Sequence, residues 1–139
     1  MALHTRAACN QDAEPIRQLV FSTLAEYGLE PDPSTTDADL ADIERHYQRS
    51  GGAFLVLVDE NDRVVGSAGL YPLTATECEL RKMYLEPGYR GQGWGSRLLE
   101  QMIREARARG FCRIQLETAS VLKAAIALYQ RYGFAPIQG

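Results

Sequence analysis

The 139-residue sequence lacks several features that mark membrane-spanning, secreted or metal-dependent proteins. No apolar run approaches the roughly 20 residues that a helix needs to span a bilayer, and residues 1–10 lack the apolar centre of a signal peptide. The three cysteines are widely spaced and the two histidines are isolated, so no spacing typical of metal ligands is present. We therefore expect a cytoplasmic protein with reduced thiols and no metal.

An excess of charge of one sign is also missing. The formal net charge of −3 gives no reason to expect a surface for nucleic acid. Hydrophobic residues make up 45% of the chain and charged residues 24%, which is the composition of an ordinary globular protein. Because a chain of this length can bury a core of its own, we predict a single domain over residues 1–139.

Hydrophobic periodicity in the first half predicts two helices and a hairpin. Helical spacing over residues 12–27, with Asp12 as the cap, and over residues 37–48 predicts the helices. The proline-containing residues 28–36 connect them. Apolar runs over residues 53–58 and 64–73 predict the hairpin, and residues 5–8 a short first strand.

The second half predicts a parallel strand pair. A strand over residues 76–85, a helix over residues 93–109 and a strand over residues 111–118 follow one another, which is the order of a right-handed βαβ unit. A last helix over residues 120–132 and a final strand over residues 134–137 complete the chain.

The apolar positions of the strand over residues 76–85 change parity. Cys78 and Leu80 occupy even positions, whereas Met83 and Leu85 occupy odd ones. Because side chains alternate between the two faces of a sheet, this change predicts one extra residue, a β-bulge at residues 81–83 that turns backbone donors outward. The alternative is that both faces are buried and the parity has no meaning.

A glycine-rich turn joins this strand to the next helix. Glycines at alternate positions leave backbone N–H groups uncovered where a helix begins, which predicts a site for a phosphate or pyrophosphate. The lysine of a P-loop and the glycine spacing of a dinucleotide fold are both missing. The residues of the predicted site are Arg90, Gly91, Gln92, Gly93, Trp94, Gly95 and Ser96.

This turn resembles the Q/R-x-x-G-x-G/A signature of the GNAT superfamily of N-acetyltransferases, which bind the pyrophosphate of acetyl-CoA. Residues 125–134 are similar to the closing segment of that family, in which A-I-x-L-Y leads to a G-F pair. The resemblance covers nearly the whole chain, with two departures. Leu122 stands where many members have Asn, and the sequence stops at Gly139, where many members add a strand. The sheet edge that this would expose could be covered by a second copy, so we expect that a homodimer can form.

The resemblance implies the fold and the cosubstrate. The fold is α/β (α+β), with a mixed, mostly antiparallel central sheet, a splayed parallel strand pair and helices on both faces. The cosubstrate is acetyl-CoA, with no metal. Backbone groups of Met83, Tyr84 and Leu85 would hold the pantetheine arm and polarise the thioester carbonyl.

The resemblance also implies catalytic side chains. Tyr129 occupies the position of a general acid that protonates the leaving sulfur, and Glu79, 11 residues before Arg90, that of a catalytic glutamate. A glutamate with a pKa near 4.3 is a poor direct base for an amine with a pKa near 10, so it would need burial or a water relay. Glu117 is the alternative base or a binder of the substrate amine. The competing interpretation makes Tyr129 a core aromatic and the glutamates solvated carboxylates.

Two functions remain open at this point. The first is transfer of the acetyl group to a primary amine of a small molecule, an amino acid or a protein by direct attack in a ternary complex. The second is a catalytically inactive acyl-CoA-binding or interaction module. Substrate selection is expected from the two early helices, the connection between them over residues 28–36 and the hairpin, and nothing in residues 28–48 identifies a ligand.

Overall fold

The computed structural model describes residues 3–31 and 37–136. Five strands form one sheet in the order β1-β2-β3-β4-β5, and all neighbours pair antiparallel except β4 and β5, which are parallel. The strands are β1 His4–Ala7, β2 Ala53–Val58, β3 Val64–Pro72, β4 Glu77–Leu85 and β5 Arg113–Leu116. The helices are α1 Ala13–Glu26, α2 Trp94–Ala108 and α3 Lys123–Arg131. This architecture confirms the predicted fold class and the parallel pair.

Helices cover both faces of the sheet and divide the core in two. On one face, α1 and the segment 38–48 pack against alternate side chains of β2, such as Phe54 and Val56. On the other face, α2 and α3 pack against Leu55 and the inner side chains of β3 and β4. Every residue of β2 is buried because this strand has neighbours above and below.

The predicted helix over residues 37–48 is wrong in its continuity. The chain forms a 3-10 turn at Ala38–Ala41 and a π-helical turn at Glu44–Gln48, with an extended residue, Asp42, between them. The Asp42 carboxylate accepts a hydrogen bond from the backbone N–H of Arg45 at 3.1 Å, so it caps the second turn and interrupts the first. The apolar side was predicted correctly, since Leu40, Ile43 and Tyr47 are fully buried.

Two further predictions, about the start of α1 and the segment after α3, are wrong. Asp12 does not cap α1 with its side chain, because its carboxylate accepts from Arg6 and from the Cys9 backbone N–H instead. Residues 134–136 are not in a strand, and residue 137 lies outside the described residues. Phe134 donates its backbone N–H to the Tyr129 carbonyl at 3.1 Å, so it completes the C-terminal cap of α3.

The described part of the chain contains no helix that is both long and apolar enough to cross a bilayer. Within residues 3–31 and 37–136, no three side chains of His, Cys, Asp or Glu gather as metal ligands would. Cys9, Cys78 and Cys112 are all free thiols, with Cys78 buried and Cys112 exposed.

Candidate active site

The glycine turn presents an uncovered row of backbone donors at the start of α2. Gly91 and Gly93 have positive φ angles of 74° and 89°, and a Cβ at either position would meet nothing within 4 Å. The helix makes its first internal hydrogen bond from Arg97 N–H to the Gly93 carbonyl. Among the described residues, no acceptor pairs with the N–H groups of residues 91–96. A pyrophosphate fits this turn because it would supply the missing acceptors.

Gly95 has a different reason to be glycine. A Cβ there would lie 3.3 Å from Leu128 Cδ2 and 3.8 Å from Leu85 Cδ1. The first turn of α2 therefore approaches α3 and the end of β4 closely. This packing holds the glycine turn against the other elements of the site.

The parallel strands separate directly beside this turn. Pairing between β4 and β5 runs only from Glu77 to Leu80 on β4, while β4 continues to Leu85. A cleft of about 1040 Å³ opens where β5 leaves. It brings together Glu79, Met83, Tyr84, Leu85, Arg90, Gly91, Gly93, Gly95, Ser96, Glu117 and Tyr129.

The side chains of Gln92 and Trp94 lie outside this cleft. Gln92 Nε2 donates to the Gly88 carbonyl at 2.9 Å, which closes the turn on itself. The Trp94 ring lies 5.0 Å from the Arg97 guanidinium and lines a smaller depression beside β1. Their predicted contact with a cofactor therefore rests on their backbone N–H groups.

A bulge in β4 confirms the change of parity seen in the sequence. Ser67 of β3 pairs with Tyr84 and Gly69 pairs with Arg81, so β4 contains one extra residue between them. Lys82 has a φ of +56°, in the left-handed region. Its carbonyl accepts a hydrogen bond from Ser67 Oγ at 2.6 Å. The bulge is thus anchored to β3 on one side.

Beyond the bulge, β4 directs backbone groups into the cleft. Glu86 donates its backbone N–H to β3 at 2.9 Å. Because alternate residues direct their amide groups to opposite sides of a strand, Tyr84 shares that orientation, and Met83 and Leu85 face the gap left by β5. On that side, Arg90 Nε donates a hydrogen bond to the Leu85 carbonyl at 2.9 Å. The N–H groups of Met83 and Leu85 are the donors that remain.

Tyr129 of α3 lines the same cleft. The residue is only 9% exposed, and its ring packs edge-on against Phe134. Burial, and then the nearby Tyr84 phenol, raises the pKa of Tyr129 to about 12. Within the described residues its hydroxyl has no hydrogen-bond partner, although it lines the cleft. A neutral donor is therefore available to a ligand.

The two candidate glutamates differ in their surroundings. Glu79 forms an ion pair with Arg81, and the Arg81 guanidinium also lies 4.0 Å from the centre of the Tyr71 ring. Glu117 follows β5 directly and is exposed in the cleft, and in the described parts of the chain it has no ion-pair partner. Glu79 is thus held in one orientation, whereas Glu117 is open to a ligand.

Arg90 connects the glycine turn to α1. Its guanidinium forms a two-pronged ion pair with Glu26 at 2.5 and 3.1 Å, and it lies 5.9 Å from the Tyr27 ring. The hydrogen bonds that Arg90 donates to the Glu26 carboxylate raise the pKa of Arg90, so its charge is permanent. Because the guanidinium is paired with Glu26, its charge is partly neutralised within the protein and is less available to a phosphate.

Sequence reasoning missed a buried charge cluster behind the bulge. The Lys82 ammonium forms an ion pair with Asp37 and lies 3.7 Å from Asp39. Asp39 accepts a hydrogen bond from the buried Tyr47 hydroxyl. Both aspartates belong to the helix predicted over residues 37–48, and only a lysine at the parity change could have indicated their partner.

Comparison with known proteins identifies the class of this site. The model of the Acetyltransferase (GNAT) family matches residues 17–134. The uncharacterized N-acetyltransferase YjgM of Escherichia coli (strain K12) is 42% identical in an alignment of 132 residues that covers 91% of this chain and 78% of that protein. An acetyltransferase of GNAT family from Staphylococcus aureus Mu50 has a TM-score of 0.93 at 27% identity, covering 99% of this chain and 86% of that chain.

A third similarity concerns the fold alone. A "predicted acetyltransferase" from Clostridium acetobutylicum, solved with acetyl-CoA, has a TM-score of 0.78 at 22% identity and covers 98% of this chain and 92% of that chain. The chain belongs to the GNAT family and is an acetyltransferase enzyme.

Proposed function

We propose that the protein transfers the acetyl group of acetyl-CoA to a primary amine of a small molecule, an amino acid or a protein, by direct attack in a ternary complex. The observation that carries this proposal is the juxtaposition in one cleft of three donor groups. These are the unpaired amides of the glycine turn, the strand amides beyond the bulge, and the free hydroxyl of Tyr129. In acetyl transfer from acetyl-CoA these groups would serve the pyrophosphate, the thioester carbonyl and the leaving sulfur, in that order.

The residues present fit acetyl-CoA at two places. The N–H groups of residues 91–96 would bind the pyrophosphate, since they lack acceptors and no side chain covers Gly91 or Gly93. The N–H groups of Met83 and Leu85 would bind the pantetheine arm and the thioester carbonyl. A carbonyl that becomes an oxyanion during attack is stabilised most by donors that are already oriented, and the bulge supplies that orientation.

The amine needs a proton acceptor before it attacks. Glu79 is held by Arg81 at one wall of the cleft, which suits a base that acts through a water molecule. Glu117 is exposed at the opposite strand and suits electrostatic binding of a cationic amine. We assign the base to Glu79 and the amine contact to Glu117. Tyr129 donates to the sulfur as the thiolate leaves.

The test is a turnover measurement with acetyl-CoA and a panel of amines. Because Cys112 is exposed and would react with a thiol reagent, the loss of thioester absorbance is the better signal. Mass spectrometry of the products identifies the acetylated amine. The proposal expects amine-dependent loss of thioester. Binding of acetyl-CoA without turnover on any amine would instead favour an inactive acyl-CoA-binding module.

A further inference from the structure

The cluster behind the β4 bulge points to a role for Lys82 that rests on the proposed function. Lys82 is a non-glycine residue in the left-handed backbone region, with a φ of +56°. Such a conformation is disfavoured for an L-residue and persists only when the surroundings hold it. Lys82 is also the residue directly before Met83, whose N–H faces the gap between β4 and β5. The conformation of Lys82 therefore sets the direction of the Met83 amide.

Contacts with described residues hold Lys82 in place both at its backbone carbonyl and at its ammonium. Its carbonyl accepts from Ser67 Oγ, and Ser67 is fully buried. Its ammonium forms ion pairs with Asp37 and Asp39, and the three side chains are only 11%, 7% and 6% exposed. Charges buried to this extent interact more strongly than surface pairs, so removal of the Lys82 ammonium would cost both aspartates a buried ion pair.

The acidic end of this contact is itself rigid. Asp39 accepts the hydrogen bond of the Tyr47 hydroxyl. The Tyr47 ring packs edge-on against Phe54 at 4.9 Å and against Tyr71 at 6.0 Å. These contacts hold the segment 38–48 against the sheet. The ion pair of Asp39 with Lys82 connects the segment to the bulge.

We infer that Lys82 is a positioning residue, whose ion pair with Asp37 and Asp39 holds the β4 bulge so that the Met83 amide points at the acetyl carbonyl. Lys82 does not act on the reacting atoms itself. It links the segment 38–48, on the α1 side of the sheet, to the backbone that would polarise the thioester.

The experiment compares Lys82→Ala with Lys82→Gly. Alanine loses the ion pair and keeps the conformational penalty, whereas glycine loses the ion pair but adopts positive φ without strain. The probe is acetyl-CoA labelled with ¹³C at the carbonyl, because its resonance reports the hydrogen bond to the bulge without requiring turnover. Lys82→Gly also keeps the comparison open where Lys82→Ala fails to fold.

A matched control is Asp62, in the hairpin turn between β2 and β3. It has a φ of +61°, as Lys82 has a positive φ, but its ion pair with Arg6 is on the surface, with the Asp62 side chain 65% exposed, and it lies away from the cleft. Asp62→Ala should lower the melting temperature and leave kcat unchanged. A loss of kcat in Lys82→Ala that came only from strain of an alanine at positive φ would appear in Asp62→Ala as well.

We expect Lys82→Ala to move the bound carbonyl resonance toward that of free acetyl-CoA and to lower kcat by at least about tenfold, with the Kd for CoA changed by less than about twofold. Lys82→Gly should lie between Lys82→Ala and the wild type. An unchanged resonance, or a kcat within about twofold of the wild type in Lys82→Ala, would overturn the inference. Absence of turnover in the wild type, with the carbonyl resonance still displaced by binding, would count against amine transfer and not against Lys82.

Discussion

Replacing Tyr129 by Phe tests the chemistry of the site with little disturbance to the fold. The ring stays, so its edge-on contact with Phe134 is retained. The hydroxyl that is removed has no hydrogen-bond partner in the described chain, so its loss leaves no group unsatisfied. We therefore expect the melting temperature of Tyr129→Phe to stay close to that of the wild type.

The size of the catalytic loss follows from the pKa of the phenol. A pKa of about 12 for Tyr129 lies roughly 3.5 units above that of an ordinary thiol near 8.5. Complete proton transfer to the free thiolate would thus be uphill by about 5 kcal/mol. Tyr129 should act mainly as a hydrogen-bond donor to the sulfur in the transition state. The expected loss is at the lower end for an acid catalyst, about a hundredfold in kcat, or about 2.7 kcal/mol.

The same pKa predicts the pH dependence. Because ionisation of Tyr129 is displaced upward, its hydroxyl remains a donor until the pH approaches about 12, and no alkaline loss of kcat below about pH 10 should come from it. The assay is the initial rate of thioester loss at saturating amine, with the Kd for CoA measured separately. Tyr132→Phe, three residues further along, is the matched control and should be neutral.

Two results would refute the reasoning on Tyr129. A kcat for Tyr129→Phe within about threefold of the wild type would remove the hydroxyl from the reaction. Equal losses in kcat and in affinity for CoA, with a lower melting temperature, would show that the residue acts through packing.

The remaining predictions concern the turn, the carboxylates and an ion pair near the N-terminus. Gly93→Ala and Gly110→Ala both place a side chain at a φ above +80° in open space, so each should destabilise by about 1 kcal/mol, but calorimetry should find weaker CoA binding only for Gly93→Ala. Glu79→Gln should lower kcat and Glu117→Gln should raise the KM for the amine, each by about tenfold, and the opposite split would exchange their roles. The hydrogen bond from Arg6 holds the pKa of Asp12 below its usual value. This interaction therefore stabilises the folded protein at neutral pH, and the stabilisation is lost as the pH falls through the pKa that Asp12 has in the folded state. Urea unfolding should show Asp12→Asn less stable than the wild type at pH 7, with the difference shrinking below about pH 4.

The sequence predicts well those helices and strands whose apolar residues recur with a clear period. The stripe on α2 that contains Leu98, Leu99 and Met102 is buried as expected, and the parity change in β4 located the bulge. Both signals depend on which face of an element meets the core. Periodicity failed at residues 37–48 because the side chain of Asp42 supplies a local alternative to the helix hydrogen bonds.

In the candidate site, the sequence predicts the features that depend on the local backbone. It does not predict the contacts between side chains of distant segments. The glycine turn is encoded by glycines within a few residues of one another, so its position follows from local sequence. The pairing of Lys82 with Asp37 joins residues 45 positions apart, and that of Arg90 with Glu26 joins residues 64 apart. No local pattern indicates such partners, since they arise from the packing of α1 and the segment 38–48 on the sheet.

Backbone amide NMR of the 139-residue protein, titrated first with CoA and then with acetyl-CoA, tests the central claim most directly. The account predicts that both ligands displace the amide resonances of residues 91–96. It further predicts that acetyl-CoA, but not CoA, produces an additional downfield displacement at Met83 or Leu85. Displacements confined to other residues, or identical displacements of Met83 and Leu85 by the two ligands, would contradict the placement of the acetyl group at the bulge.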